Sequence, residues 1–258
     1  MNLLFIHQNF PGQFKHLAPA LARRGHDVKA LTLRPDAPDT WQGVGVRKYT
    51  PQRGSTPGIH PWVMDFETKV IRGEAVFRAA LEMGRSGYRP DVVVAHPGWG
   101  ESLFVKEVWP AARLGLYCEF YYRAQGADVG FDPEFSVSDA SAGCRMLVKN
   151  AHLSMQFDAA DGALSPTRWQ ADGFPAPFRS RIQVVHDGID TRIVVPKPDI
   201  RVGFPARGGL ALTRNDEVVT FVNRNLEPSR GYHMLMRALP ALLRRRPKAH
   251  VLVVGGDA

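Results

Sequence analysis

Short apolar runs alternate along the chain with stretches of helical spacing. Runs over residues 3–6, 28–33, 91–95, 114–120 and 182–185 have the length and side-chain types of buried strands. Between the first two, Phe14, Leu17, Ala18 and Leu21 fall on one face of a helix, and Arg23-Arg24-Gly25 supplies a basic last turn and a stop. A second helical pattern runs from Val63 to about Met83 and closes at Tyr88-Arg89-Pro90. It leads into the strand 91–95, which reads as buried on both faces and carries His96 at its carboxyl end. The region 35–61 is rich in Pro, Gly and Thr and predicts a loop with a short strand near 46–49, at one edge of the sheet. Strands alternating with helices predict a parallel α/β sheet.

After the run 182–185 the chain passes through His186-Asp187-Gly188-Ile189-Asp190 and a stretch containing Pro and Gly, and a new cycle then starts. That cycle predicts a strand over 218–222, a helix over 232–246 and a strand over 250–254. The expected organisation is a complete Rossmann-like domain over 1–190, a linker over 191–214 and a second, incomplete domain over 215–258. One βαβ unit cannot bury both faces of its sheet, so the second domain is expected to be unfinished rather than small.

With 258 residues and 44% hydrophobic content, the chain has the composition of a soluble globular protein. Its net charge of +8 makes acidic partners attractive: nucleic acid, an anionic membrane surface or phosphorylated small molecules. Basic residues interleaved with stacking aromatics are missing, so nucleic acid is not expected as a partner. The first residues have no basic lead or long apolar run, and no segment approaches the roughly 20 apolar residues of a membrane span. The expected location is the cytoplasm, with peripheral contact at the inner face of a membrane as a further expectation. Cys118 and Cys144 lack metal-ligand spacing and are expected to be reduced core thiols. No Walker loop, nucleophile elbow, His-Glu-x-x-His or paired Cys-x-x-Cys occurs. An Asp-x-Asp motif, a common carboxylate pair for a divalent ion, is missing too.

Ligands of parallel α/β sheets lie beyond the carboxyl ends of the strands, and four segments fall there. In His7-Gln8-Asn9-Phe10-Pro11-Gly12-Gln13, Gly12 lets the backbone approach a phosphate or sugar, or simply makes a tight turn. In His96-Pro97-Gly98-Trp99-Gly100-Glu101, His96 can hydrogen-bond a sugar hydroxyl or be a satisfied structural histidine. Gly98, Trp99 and Glu101 are placed at the cleft beyond this strand end. Gly98 and Gly100 begin a dinucleotide fingerprint whose third glycine is replaced by Leu103, which weakens an NAD reading. The segment from Phe221 to Gly231 carries Arg224 and Arg230, whose planar forks suit a diphosphate; solvated surface arginines are the alternative. Asp187 and Gly188 either face the cleft or serve the turn between domains. Arg244-Arg245-Arg246 reads as a helix end complementing the dipole.

Taken together, the glycine loop before the first helix, Arg24-Gly25-His26-Asp27-Val28, His186-Asp187-Gly188-Ile189-Asp190 and the segment from Arg224 to Gly231 resemble the family 4 glycosyltransferases of GT-B fold. The segments 91–107, 120–123 and 130–135 look like a bacterial subgroup of that family. The resemblance implies two Rossmann-like domains facing across a cleft, the first for a sugar or lipid-linked acceptor and the second for a UDP- or GDP-sugar. It implies transfer with retention of configuration, no metal and no cofactor beyond the donor substrate. It places His96 beside the transferred sugar, Gly12 near the donor phosphates, and Arg224 and Arg230 on the leaving diphosphate. Pro11-Gly12-Gln13 stands where many relatives have two glycines, Asn223 where they have Gly, and Arg230 where they have Lys. The family's pair of donor-binding glutamates, eight residues apart, is expected beyond Ala258, so the chain as it stands is expected to be inactive. A GT-B-related nucleotide-sugar epimerase or phosphorylase, or a non-catalytic binding module, is the alternative.

Overall fold

Alternation with period two sorts the first strand into two faces, and the rest of the amino-terminal unit is built on them. In β1 (Asn2–Ile6), Leu3 and Phe5 pack with Phe14, Ala18 and Val28, while Leu4 and Ile6 pack on the opposite side with Ala79, Ala80 and Phe157. The computed structural model describes residues 1–127, 129–135 and 139–256. Those residues form two units, one of 1–124 with 139–187 and the other of 125–138 with 188–258. The break after Asp187 lies three residues ahead of the expected 190, and a segment from the middle of the chain groups with the second unit.

In the first unit, β1 is followed by α1 (Leu17–Arg23), β2 (Asp27–Thr32), β3 (Thr40–Trp41), β4 (Val44–Lys48), α2 (Pro61–Arg85), β5 (Val92–Ala95), α3 (Val105–Val108) and β6 (Arg113–Tyr117). Then come α4 (Ala142–Ala159), β7 (Gly162–Ser165), α5 (Arg168–Asp172), α6 (Ala176–Arg179) and β8 (Ile182–Val184). The sheet order is β3-β4-β2-β1-β5-β6-β7-β8, parallel except for the short edge strand β3. The early part of region 35–61 thus does form the sheet's edge.

Several local expectations change. Phe14 belongs to a 3-10 turn over Gly12–Phe14, α1 starts only at Leu17, and Leu17 is exposed. Strand β5 is fully buried on one face and half-buried on the other. The 114–120 run leaves the ladder after Tyr117, and α3 has only four residues. Cys118 is buried as expected, but Cys144 is exposed on α4, so it is not a core thiol.

The long α4 and the strand β7 escape the hydrophobic pattern. The buried side of α4 mixes Leu153 and Phe157 with Asn150, His152 and Gln156, which erases the apolar stripe that announces a helix. His152 Nδ1 bonds the Lys149 carbonyl of its own helix at 2.8 Å, while Asn150 and Gln156 are fastened to distant loops. Asn150 accepts from the Tyr122 N–H at 3.0 Å and donates to the Tyr122 carbonyl at 2.7 Å. Gln156 donates to the carbonyls of Pro97 and His152, both at 2.9 Å, and accepts from Ser102 Oγ. Helix α4 therefore ties down the loops that follow β5 and β6.

In the second unit, β9 (Val202–Phe204) and β10 (Leu210–Leu212) make an antiparallel hairpin inside the segment expected to be linker. A parallel pair follows, β11 (Val218–Asn225) and β12 (His250–Gly256), joined through α7 (Tyr232–Arg245) in the expected βαβ order. No residue of α7 is fully buried, and Met234, Met236, Val222 and Val254 are exposed. Arg246 closes the helix and pairs with Glu217. Asp128, 136–138 and 257–258 lie outside the described residues.

Candidate active site

Three central strands end together. Ile6 pairs in register with Ala95, and Ala95 with Leu116, so the next residues, His7, His96 and Tyr117, form one row across β1, β5 and β6. Parity along each strand turns the row to the α1 side of the sheet. The His7 and His96 ring centroids are 5.5 Å apart, and those of His96 and Tyr117 6.0 Å. Trp99 closes the group, stacked on His96 at 4.1 Å and edge-on to His7 at 5.0 Å.

A hydrogen-bonded chain links these strand ends. His7 Nδ1 accepts from the Asn9 N–H at 3.0 Å, so Nε2 carries the proton and donates to Gln13 Oε1 at 2.6 Å. Gln13 Nε2 donates to Glu119 Oε1 at 2.8 Å. His96 Nδ1 accepts from the Gly98 N–H at 3.1 Å, which leaves Nε2 to donate to Glu119 Oε2 at 3.0 Å. Glu119 thus joins the loop after β1 to the loop after β5.

Electrostatics follow from this arrangement. Burial and the neighbouring His96 lower the His7 pKa to about 4, against a partial lift from Gln13 and Glu119, so His7 is neutral at physiological pH. Burial pushes the Glu119 carboxyl up, but the hydrogen bonds from His96 and Gln13 outweigh it and hold the pKa below the ordinary glutamate value. Burial, then the hydrogen bond to Asp187, raises the Tyr117 phenol, which donates to Asp187 Oδ1 at 2.6 Å. The result is a mouth with an ionised glutamate, a neutral histidine and an aromatic wall.

Of the residues singled out in the sequence, His96, Gly98, Trp99, Gly12 and Asp187 gather at this mouth. Gly12 has φ +45°, and a β-carbon there would come within 2.4–2.8 Å of the His7 ring. At Gly98 a β-carbon would meet the His96 ring at 2.7 Å. Both glycines are set by close approach to a histidine. Glu101 must be corrected: it is 1% exposed and accepts from Tyr49 Oη at 2.9 Å, and burial raises its pKa. It belongs to the core under the loop and does not line an open cleft. His96 is 6% exposed with both ring nitrogens engaged, so the satisfied-histidine reading describes its present bonding.

Arg224, Arg230 and Gly188 belong to the second unit. Arg224 stands exposed near the end of β11, and Arg230 sits in a 3-10 turn before α7, where its Nε donates to Glu227 at 3.1 Å. Gly188 has φ +75°. The sequence reading missed Glu119 and the parts of His7, Gln13 and Tyr117. A signal was there: Glu119 is the one acid inside the apolar run 114–120, two residues after Tyr117 and so of the same parity.

Comparison with known proteins follows the same lines. The model of the glycosyl transferase family 4 group matches residues 24–194. A GDP-mannose-dependent alpha-(1-6)-phosphatidylinositol monomannoside mannosyltransferase of Mycolicibacterium smegmatis is 34% identical over 99 residues, covering 38% of this chain and 25% of that protein. A D-inositol 3-phosphate glycosyltransferase of Segniliparus rotundus is 23% identical over 250 residues, covering 93% of this chain and 51% of that one. The chain therefore spans about a quarter and about half of the lengths of these two curated relatives. The catalytic domain of starch synthase IV from Arabidopsis thaliana, solved with ADP and acarbose, superposes over 99% of this chain and 68% of its own at a TM-score of 0.62 and 16% identity. That likeness establishes a GT-B type of α/β fold.

Proposed function

The chain belongs to the glycosyl transferase family 4 group, and from that premise we propose that it serves the transfer of a sugar from a nucleotide-diphosphate sugar to an acceptor hydroxyl, with retention and without a metal. The observation that carries this reading is the convergence of His7, His96 and Tyr117 with Glu119 at the carboxyl ends of three adjacent parallel strands, the place where sheets of this type bind ligands. His96 and Trp99 would lie beside the sugar, and Gly12 would hold the loop after β1 open to the donor phosphates. Arg224 and Arg230 would neutralise the diphosphate as the glycosidic bond breaks, since guanidinium charge does not titrate and its donors fit phosphate oxygens in pairs.

The exposed apolar residues of β11, β12 and α7 support a donor site that this span of chain leaves only partly built. Binding of nucleotide without turnover is the expected behaviour of the chain alone. Calorimetric titration with UDP, GDP and their sugars tests it. A dissociation constant of about 1 mM is expected, near −4 kcal/mol. It should weaken roughly tenfold when Arg224 and Arg230 are both changed to Ala. Equal binding by the double variant would refute the arginine assignment. Micromolar affinity or measurable product would refute the partial donor site.

A further inference from the structure

We propose that Glu119 touches substrate: its carboxylate takes, as a third donor, a hydroxyl of an uncharged sugar or cyclitol ring lying against Trp99. The inference deepens the sugar-transfer reading and rests on it. A carboxylate offers about four acceptor positions. Glu119 has filled two of them, with His96 at 3.0 Å and Gln13 at 2.8 Å, and its side chain remains 32% exposed. A glutamate that served only to orient His96 would need one oxygen and no opening to solvent.

The surroundings narrow the class of ligand. Sugar rings combine an apolar C–H face with a rim of hydroxyls, and sites for them pair an aromatic surface with fixed polar groups. Trp99, half-buried and backed by His96, supplies the surface, and Glu119 supplies the fixed acceptor. The groups around the carboxylate add no positive charge: His7 is neutral, His96 carries a single ring proton because its Nδ1 accepts from Gly98, Gln13 is an amide, and Tyr117 carries the Asp187 carboxylate. Like charges at such range repel, so a phosphate is disfavoured here and a neutral hydroxyl is favoured.

The test uses the whole chain, with myo-inositol and methyl α-glucoside as uncharged probes and inorganic phosphate as the charged one. Saturation-transfer NMR should show both polyols binding, phosphate failing to displace them, and E119Q weakening them by about tenfold or more, the scale of a hydrogen bond to a charged group. Because E119Q also disturbs the bond to Gln13, its amide exchange is compared with wild type. Independently, the carbon-13 resonance of the wild-type Glu119 carboxylate should move when polyol is added. Equal polyol binding by a folded E119Q, displacement by phosphate, an unmoved Glu119 resonance or no polyol binding by wild type would each overturn the proposal. Absence of polyol binding by the wild type with nucleotide binding intact would sink this inference alone. Polyol binding through Glu119 without any nucleotide binding would instead sink the transfer reading.

Discussion

Replacing Gly12 by alanine should disrupt the loop after β1 far more than the same change at Gly25, although both glycines have positive φ, +45° and +84°. At Gly25 a new β-carbon meets nothing within 4 Å, so the cost is backbone strain alone, about 1–2 kcal/mol. At Gly12 the same strain applies, and the methyl would also stand 2.4, 2.5 and 2.8 Å from three atoms of the His7 imidazole. That ring cannot swing aside freely, because Asn9 and Gln13 hold its two nitrogens and Trp99 lies against it. Overpacking of this kind costs about 1–3 kcal/mol, and a lost hydrogen bond about 1 more. G12A should therefore be destabilised by roughly 3–6 kcal/mol, two or more beyond G25A. Amide exchange in β1 reads this for the amino-terminal unit alone, without assuming that a chain of two units unfolds in one step. Histidine NMR gives a second readout. If the ring is expelled, the His7 pKa climbs from about 4 toward 6.5 in G12A and stays near 4 in G25A. Indistinguishable exchange in the two variants, with His7 unchanged, would show that the glycine is not set by its contact with the ring.

Two further outcomes follow from burial. His7 and His152 both have pKa values lowered to about 4, chiefly by burial, with His96 adding to the effect for the first and Lys69 for the second. Below 6.5 the unfolded chain therefore binds protons that the native state refuses, and stability that is complete above pH 6.5 falls as pH drops toward 4. The gap amounts to at most about 3 kcal/mol per histidine. Amide exchange in β1 at pH 7 and pH 5, corrected for intrinsic rates, measures the fall, and H7Q should remove the His7 share of it; equal protection at both values would contradict the buried neutral rings. For the thiols, an aromatic disulfide reagent should modify Cys144 and leave Cys118, which is fully buried and whose pKa is pushed up to about 12. Rapid reaction of two thiols in the native protein would contradict that placement.

The sheet could be read from the sequence because β1, β2, β5 and β6 are apolar runs, which period and length identify. Helix α4 could not, since its buried side carries His152 and, with partners in loops distant in sequence, Asn150 and Gln156. The same asymmetry holds at the site. His96 and Gly12 stand out as residues at strand ends, whereas Glu119 looks like an interruption in an apolar stretch until Gln13 and His96 are seen to converge on it. Glu101 errs the other way. It sits beside the right loop in sequence, but its carboxyl points to Tyr49 in the core.

The row of His7, His96 and Tyr117 has a bearing on assembly that is separate from chemistry. Side chains alternate along a strand, so a slip of one residue in pairing exchanges its two faces. A slipped β1 or β5 would turn His7 or His96 into the packing now held by Leu4, Ile6, Val93 and Ala95, and leave those aliphatic groups beside Gln13 and Glu119. Polar rings driven into an apolar layer lose their partners, at about 1–3 kcal/mol for each stranded group. The row thus acts as a proofreading mark for the sheet, penalising misaligned strands before any ligand arrives. A substitution that made these ends apolar would remove that guard along with the site, and its first symptom would be heterogeneous strand pairing.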